Sequence, residues 1–419
     1  MGPKGGPSPC YATGVSRPGP AAWARPRVYL DVNAGLPLCA AARTAMAELM
    51  AEAPANPSSI HAEGRAARAR LERARRQVAG ALAVDPLEVV WTSGGTESNV
   101  LAIHGALGDG PADVVVDPLS HPSVTETLRR LQARGRVRLH TLPVDDQGRL
   151  DPAGARALLA AVRPALVSVC VASHELGVVH DVAAVARAAR AADPTVRVHA
   201  DAVQALGKIP VDPRGWDADL VSLSAHKVGG PAGVGVLLVR RPMRLEPPWA
   251  GGEQERGHRP GTEPLWAAVP AAAAIADAVA RQPAAARALA ERHRHLLRRI
   301  ATVDGVRPVG CIEPSTHNTV LLTCDGADGQ ILVMALDLEG FAVSTGAACS
   351  AGQARPVAAL LATGHGEAAA RQAVRVSFSH ETDLADLDRF VETLRVVLPR
   401  VRRAVRQAPT AGAPAMEAS

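Results

Sequence analysis

The sequence predicts an α/β protein with a mostly parallel seven-stranded sheet and a smaller α+β lobe toward its C-terminus. Short Val- and Leu-rich runs alternate with Ala/Arg-rich stretches of helical period as far as residue 270, and beyond that point strand-like and helical segments mix without the alternation. Strand and helix in strict alternation imply parallel strands joined by helical crossovers, with both sheet faces covered. Composition agrees: 419 residues, 47% hydrophobic and 21% charged, are ordinary for a globular chain long enough to form two lobes.

In chain order, the strand candidates are residues 87–92, 113–116, 137–140, 166–171, 196–199, 220–223 and 234–239. Each is a short apolar run bounded by turn residues. Helical patterns lie between them, at 96–107, 123–134, 152–162 and 182–192. Residues 271–300 read as one long helix interrupted near Pro283, because proline removes a backbone donor and crowds the preceding turn. Strands at 318–323, 342–343 and 373–378 then mix with helices at 330–338 and 384–401. The expected division is a large domain over 38–270 and a small domain built from 27–37 and 271–406, flanked by disordered tails at 1–26 and 407–419. Ligands of such sheets gather at the carboxyl ends of the strands.

Several classes are set aside at this level. No run of 18 apolar residues is present, so no membrane span is expected, and the Gly/Pro-rich N-terminus lacks the apolar core of a signal peptide. Six cysteines without paired spacing fit free thiols, a reducing cytoplasmic setting and no metal site. The net charge of +5 is spread along the chain with no basic–aromatic stripe, so direct nucleic-acid binding is not expected.

Lysine is the informative residue. It occurs at positions 4, 208 and 227 only, against 43 arginines. An amine can condense with an aldehyde, whereas a guanidinium stays protonated and cannot. Lys4 lies in the tail, which leaves Lys208 and Lys227.

Four segments carry candidate chemistry. Thr92-Ser93-Gly94-Gly95-Thr96-Glu97 joins a strand to a helix; it is either a plain turn or a phosphate cradle of bare helix N–H groups. Asp201 closes a buried strand in His199-Ala200-Asp201-Ala202-Val203-Gln204, as a helix cap or as the partner of a protonated ring nitrogen. Ser224-Ala225-His226-Lys227-Val228-Gly229 places the scarce lysine just past a strand end. Ser344-Thr345-Gly346-Ala347-Ala348-Cys349-Ser350-Ala351-Gly352 sets a cysteine among small residues, which favours an accessible thiol. The remaining cysteines have plain readings: Cys10 in the tail, Cys39 opening a helix, Cys170 in a strand, and Cys311 and Cys324 beside apolar segments.

With these segments in hand, residues 28–401 resemble the cysteine desulfurases, a branch of the class V aminotransferases among fold type I enzymes that use pyridoxal 5'-phosphate. Selenocysteine lyase is a close relative. The shared stretches include Asn56-Pro57-Ser58-Ser59, residues 92–98, Gly177-Val178-Val179, His226-Lys227, Arg256-Gly257-His258-Arg259-Pro260-Gly261-Thr262 and residues 346–352.

The resemblance implies a homodimer that takes sulfur from L-cysteine, leaving L-alanine, and passes it as a persulfide on Cys349 to an acceptor protein. That acceptor would be a cluster-assembly scaffold, a tRNA-thiolation protein or a biosynthetic sulfur carrier. Lys227 would hold the cofactor and move the Cα proton, with Asp201 against the ring nitrogen. Gln204 and His174 would meet the phenolic oxygen, and His121 would stack on the ring. Gly95, Thr96, Ser224 and His226 would hold the phosphate, joined by Thr262 of the neighbouring subunit. Asn33 and Arg375 would bind the substrate. The chain departs from the family pattern at Ser173-His174-Glu175 (usually Asn-Asn-Glu), Ala34-Gly35-Leu36 (usually Ala-Thr-Thr), Ala202-Val203, Gly229 and Glu253. Lys227, Asp201, Arg375 and Cys349 stay intact. Three alternatives accompany this reading: a selenocysteine lyase, another lyase or aminotransferase of the same fold, and a non-catalytic scaffold for sulfur-transfer partners.

Overall fold

The computed structural model describes residues 27–52, 55–108, 110–310, 313–346 and 356–407. The two stretches read as tails, except Gln407, lie outside the described residues, and so do Cys10, Cys311 and Cys349.

Twelve strands and eleven helices are present among the described residues. The strands are β1 (Val28–Tyr29), β2 (Val89–Thr92), β3 (Ala112–Val116), β4 (Val137–Thr141), β5 (Leu166–Cys170), β6 (Arg197–Asp201), β7 (Leu220–Ser224), β8 (Gly235–Val239), β9 (Val306–Val309), β10 (Thr319–Cys324), β11 (Phe341–Ala342) and β12 (Ala373–Ser377). The helices are α1 (Ala40–Met50), α2 (Ala62–Ala81), α3 (Gly95–Ala106), α4 (Pro122–Ala133), α5 (Pro152–Val162), α6 (Val182–Ala192), α7 (Leu265–Ile300), α8 (Gly329–Leu338), α9 (Ala358–Ala362), α10 (Gly366–Arg371) and α11 (Leu384–Gln407).

The main sheet has seven strands in the order β2-β8-β7-β6-β5-β3-β4. β4, β3, β5, β6 and β7 run parallel, and β8 is antiparallel to both β7 and β2. The pleat decides which side chain meets which helix layer. Val89, Trp91, Val221, Leu223, Val236 and Leu238 pack in one core with α2, α5, α6 and the first half of α7. Their neighbours Val90, Leu220, Leu237 and Val239 pack with Leu101 of α3 on the opposite face. Both faces are therefore buried, which is why these strands read as near-continuous apolar runs.

A three-stranded antiparallel sheet, β12-β10-β9, forms a second core with α8, α11 and the second half of α7. Val28 and Leu30 join that core, and β1 pairs parallel with β11. The chain then runs from β1 across to the carboxyl edge of the large sheet, where Leu36 N–H donates to the His226 carbonyl.

One expectation is corrected here. Pro283 does not interrupt the long helix: α7 runs unbroken through 36 residues with Pro270 and Pro283 inside it. At 1.5 Å per residue it is about 54 Å long. A proline costs the helix one backbone bond and a local clash. Here buried residues on both sides of Pro283, from Ala278 to Ala285 and Leu289, hold the helix against its neighbours across the lost bond. Gln407, read as the start of a tail, closes α11. Among the described residues no helix is long and apolar enough to cross a membrane.

Candidate active site

The parallel strands end on one edge of the sheet, and the chemistry-bearing residues follow those ends. Gly95 follows β2, His121 follows β3, His174 follows β5, Asp201 closes β6, and Ser224, His226 and Lys227 lie at the end of β7. A sheet edge of this kind is where loops can be varied for function while the strands fix their spacing.

Asp201 is buried, and its carboxylate is held by neighbours on the α3/α4 side of the sheet. Asn99 Nδ2 donates to Oδ2 at 2.8 Å, and the Val203 N–H donates to Oδ1 at 3.1 Å. The same Asn99 amide reaches Ser123 Oγ at 2.9 Å, while its Oδ1 is buried without a partner among the described residues. Asn99 and Ser123 were absent from the sequence reading. Polar residues on amphipathic helices read as solvent-facing, and only the position of Asn99 one turn past Gly95 hinted otherwise.

His121 caps α4 and accepts the Ser123 N–H at Nδ1. Its ring meets the His174 ring edge-on, with centroids 5.3 Å apart. Burial lowers the His121 pKa, with Lys227 adding to the effect and Asp201 opposing it. Complete burial pushes His174 well below the ordinary imidazole range, aided by His121, Arg375 and Lys227. Both rings are therefore neutral at pH 7, available as hydrogen-bonding faces rather than charges.

Lys227 Nζ donates to the carbonyl of Asn33 at 2.5 Å and to that of Ala34 at 3.1 Å. His226 bonds Ser224 Oγ through Nδ1 at 2.9 Å, and burial together with Lys227 lowers its pKa to about 4. Gly229 ends this turn with φ +81°, and a Cβ there would stand 3.0 Å from that of Cys39. A larger side chain has no room in such a turn, which accounts for glycine at this departure from the family pattern.

The first turn of α3 has no side-chain cap on its N–H groups, whereas α1, α2, α4, α5, α6 and α8 each have one. A Cβ on Gly95 would come 2.8 Å from Val203 Cγ2 and 3.5 Å from Ser224 Cβ. The carboxyl edge of the sheet thus offers bare amides, the Ser224 hydroxyl, the half-buried His226 imidazole and the Asp201 carboxylate. Pyridoxal phosphate has complementary chemistry: a phosphate, an aldehyde for Lys227 and a basic ring nitrogen for Asp201. The residues fit the group.

Three expected contacts look different in the structure. Asn33 is 3% exposed and spends its whole side chain on the protein: Nδ2 on the His174 carbonyl and Thr319 Oγ1, Oδ1 on Asn318 and Lys208. It organises the floor of the site and has no side-chain group left for a substrate. Arg375 is also buried; Nη2 donates to Asp31 at 2.7 Å and Nη1 reaches the His174 carbonyl at 3.2 Å. Nη1 also reaches the Gly346 carbonyl at 3.4 Å, and Nε–H is buried without a partner among the described residues, so Nε–H and the second Nη2 hydrogen remain for an anion. Thr262 stands exposed on a segment tied to the first turn of α3 by Arg259 Nε on Glu97 at 2.7 Å. Cys349, expected as the sulfur acceptor, lies outside the described residues. Glu175 is buried: its Oε2 accepts the Ala359 N–H at 2.8 Å, and burial raises the pKa of its carboxyl.

Comparison with known proteins gives a consistent picture. The family model for aminotransferase class V matches residues 28–390. A cysteine desulfurase from Cereibacter sphaeroides is 38% identical over 379 residues, covering 90% of this chain and 97% of that protein. An IscS-like cysteine desulfurase from Mycobacterium tuberculosis is 36% identical over 385 residues, covering 90% and 97%. Among solved structures, a NifS-like protein superposes with a TM-score of 0.82 at 30% identity, covering 89% of this chain and all of that one.

Proposed function

Since the chain belongs to the cysteine desulfurases of the aminotransferase class V family, we propose that it converts L-cysteine to L-alanine and transfers the sulfur to Cys349. The observation that carries this reading is the convergence of Lys227, Asp201, His121 and the uncapped α3 terminus on one sheet edge.

Pyridoxal phosphate, when bound, supplies an electron sink for bonds broken at the substrate carbons. The chain supplies the rest. Lys227 would hold the cofactor, and its Nζ would carry a proton to and from the substrate. Asp201, fixed by Asn99 and the Val203 N–H, would meet the ring nitrogen and favour its protonated form. Gln204 and His174 serve the phenolic oxygen, and His121 covers the ring. Gly95, Thr96, Ser224 and His226 take the phosphate, with Thr262 of a second copy. Arg375 binds the substrate carboxylate through its remaining donors, and Asn33 holds Lys227 and Gln204 in place.

Sulfur transfer balances without an outside oxidant. The Cys349 thiolate attacks the substrate sulfur, an S–S bond forms as the C–S bond breaks, and the carbon fragment takes up protons to leave as alanine. The persulfide then passes to an acceptor protein. The free thiols at Cys39, Cys170 and Cys324 fit a reducing cytoplasmic compartment. The relatives' names do not favour the lyase, aminotransferase and scaffold alternatives.

The test is incubation of the purified protein with L-cysteine, followed by alanine assay and mass measurement at each cysteine. Alanine should appear together with a one-sulfur gain on Cys349. Cys349→Ser should keep the cofactor and still bind cysteine, yet lose both signals. Alanine release at the wild-type rate from that variant refutes the transfer step.

A further inference from the structure

Lys208 is one of three lysines in the chain and, unlike the half-buried Lys227, it is buried. The reaction as described gives it no task. It follows Gln204 by one turn, and its ammonium donates to Gln204 Oε1 at 2.5 Å and to Asn33 Oδ1 at 3.3 Å. The charges acting on it are those of Lys227 and Arg375, both cations, and with burial they pull its pKa down to about 7. An apolar side chain in this place would avoid that cost.

The contacts of Gln204 show what the ammonium does. Gln204 Nε2 donates to the Asn33 carbonyl at 3.1 Å, the same oxygen that receives Lys227 Nζ. The Asn33 carbonyl can only accept, and Lys208 in its protonated form can only donate, so the two ends of the Gln204 amide cannot be exchanged while Lys208 carries its charge. Oε1 must face Lys208, and Nε2 keeps its second hydrogen on the side of the cofactor. A flipped amide would set a carbonyl oxygen against the cofactor's phenolic oxygen, acceptor against acceptor. A cation on Oε1 also polarises the amide and strengthens its N–H as a donor.

We propose that Lys208 is a positioning residue that acts through Gln204, locking its amide so that an N–H is presented to the cofactor's phenolic oxygen. The proposal rests on the reading that Gln204 contacts that oxygen. It differs from a packing role in one respect that can be measured: the effect of Lys208 must vanish when Gln204 is absent.

The experiment uses the full-length enzyme and the variants Lys208→Met, Gln204→Met and the double variant. Two quantities are read, neither of them activity: the dissociation constant for pyridoxal phosphate, and the ratio of its visible to near-ultraviolet absorbance bands. Lys208→Met should weaken cofactor binding about tenfold, the worth of one charge-assisted hydrogen bond, and should change the band ratio. The double variant should be no worse than Gln204→Met alone. Losses that multiply, or a band ratio unmoved by Lys208→Met, overturn the proposal. If Lys208→Met does not fold, Lys208→Gln is read in the same way. Should Gln204→Met itself leave affinity and bands untouched, the reading of Gln204 fails and the proposal falls with it. That outcome is distinct from multiplying losses, which leave the reading of Gln204 standing.

Discussion

Lys227 and Lys208 approach Asn33 from two sides, one on its backbone carbonyl and the other on its side-chain oxygen. Sequence alone set them apart by position relative to a strand end, and the structure adds that the half-buried Lys227 and the buried Lys208 bond the same residue. Their chemistry separates them. Lys227→Ala should abolish the visible absorbance of bound cofactor, whereas Lys208→Ala should keep it with altered bands. Loss of the absorbance in Lys208→Ala alone would reverse the assignment. Residues recognisable in sequence were those with a type fixed by chemistry and a place at a strand end: one scarce lysine and one carboxylate. Residues that hold them were not recognisable. Asn99, Ser123 and Asp31 are common polar residues, and only their distances to Asp201, His121 and Arg375 give them meaning. The same applies to His199, whose ring bridges Ser168 and Ser222 across three strands and whose pKa burial lowers to about 4.

At the scale of elements, the strands of the large sheet were readable to within about two residues because both faces are apolar and the intervening helices are regular. α2 was not read because its buried stripe includes Ala67, Ala74 and Ala79 between arginines, which gives little periodic contrast. That helix nonetheless carries a specific contact. Arg75, 2% exposed, forks onto Glu255 with both terminal nitrogens at 2.7 Å, and Glu255 also accepts the Trp91 N–H at 3.0 Å. Glu255 and Arg256 adopt left-handed φ values of 49° and 60°, so the segment leading to Thr262 is held in a strained turn by this pair. Removing one partner leaves the other charge buried. Arg75→Met should therefore cost about 3–5 kcal/mol in denaturant unfolding, and Arg75→Met with Glu255→Gln should cost less than the single change. A loss below about 1 kcal/mol in Arg75→Met would show that water reaches Glu255 and that the pair is not the anchor of the segment.

For the whole molecule, the two cores share α7 and meet at the site. The large sheet supplies Lys227 and Asp201, the small sheet supplies Arg375 on β12, and the strand-like N-terminal segment supplies Asn33 between them. Thr262 does not fit into this single-chain scheme: it is exposed, and Trp266 nearby is 43% exposed. An exposed threonine on an anchored turn, beside an uncovered indole, fits a surface that a second copy covers, with Thr262 completing the neighbour's phosphate contacts. Such sharing predicts a specific arithmetic. When Lys227→Ala and Thr262→Ala subunits are unfolded together in equal amounts and reassembled, half of the dimers should be mixed. In a mixed dimer with shared sites, one site collects both defects and the other collects neither. The mixture should then recover about a quarter of wild-type alanine formation, although each parent is impaired alone. If Thr262 serves its own subunit, every site in the mixed dimer carries one defect. Reassembly would then give no more than the average of the two parents, and the shared-site dimer would be excluded.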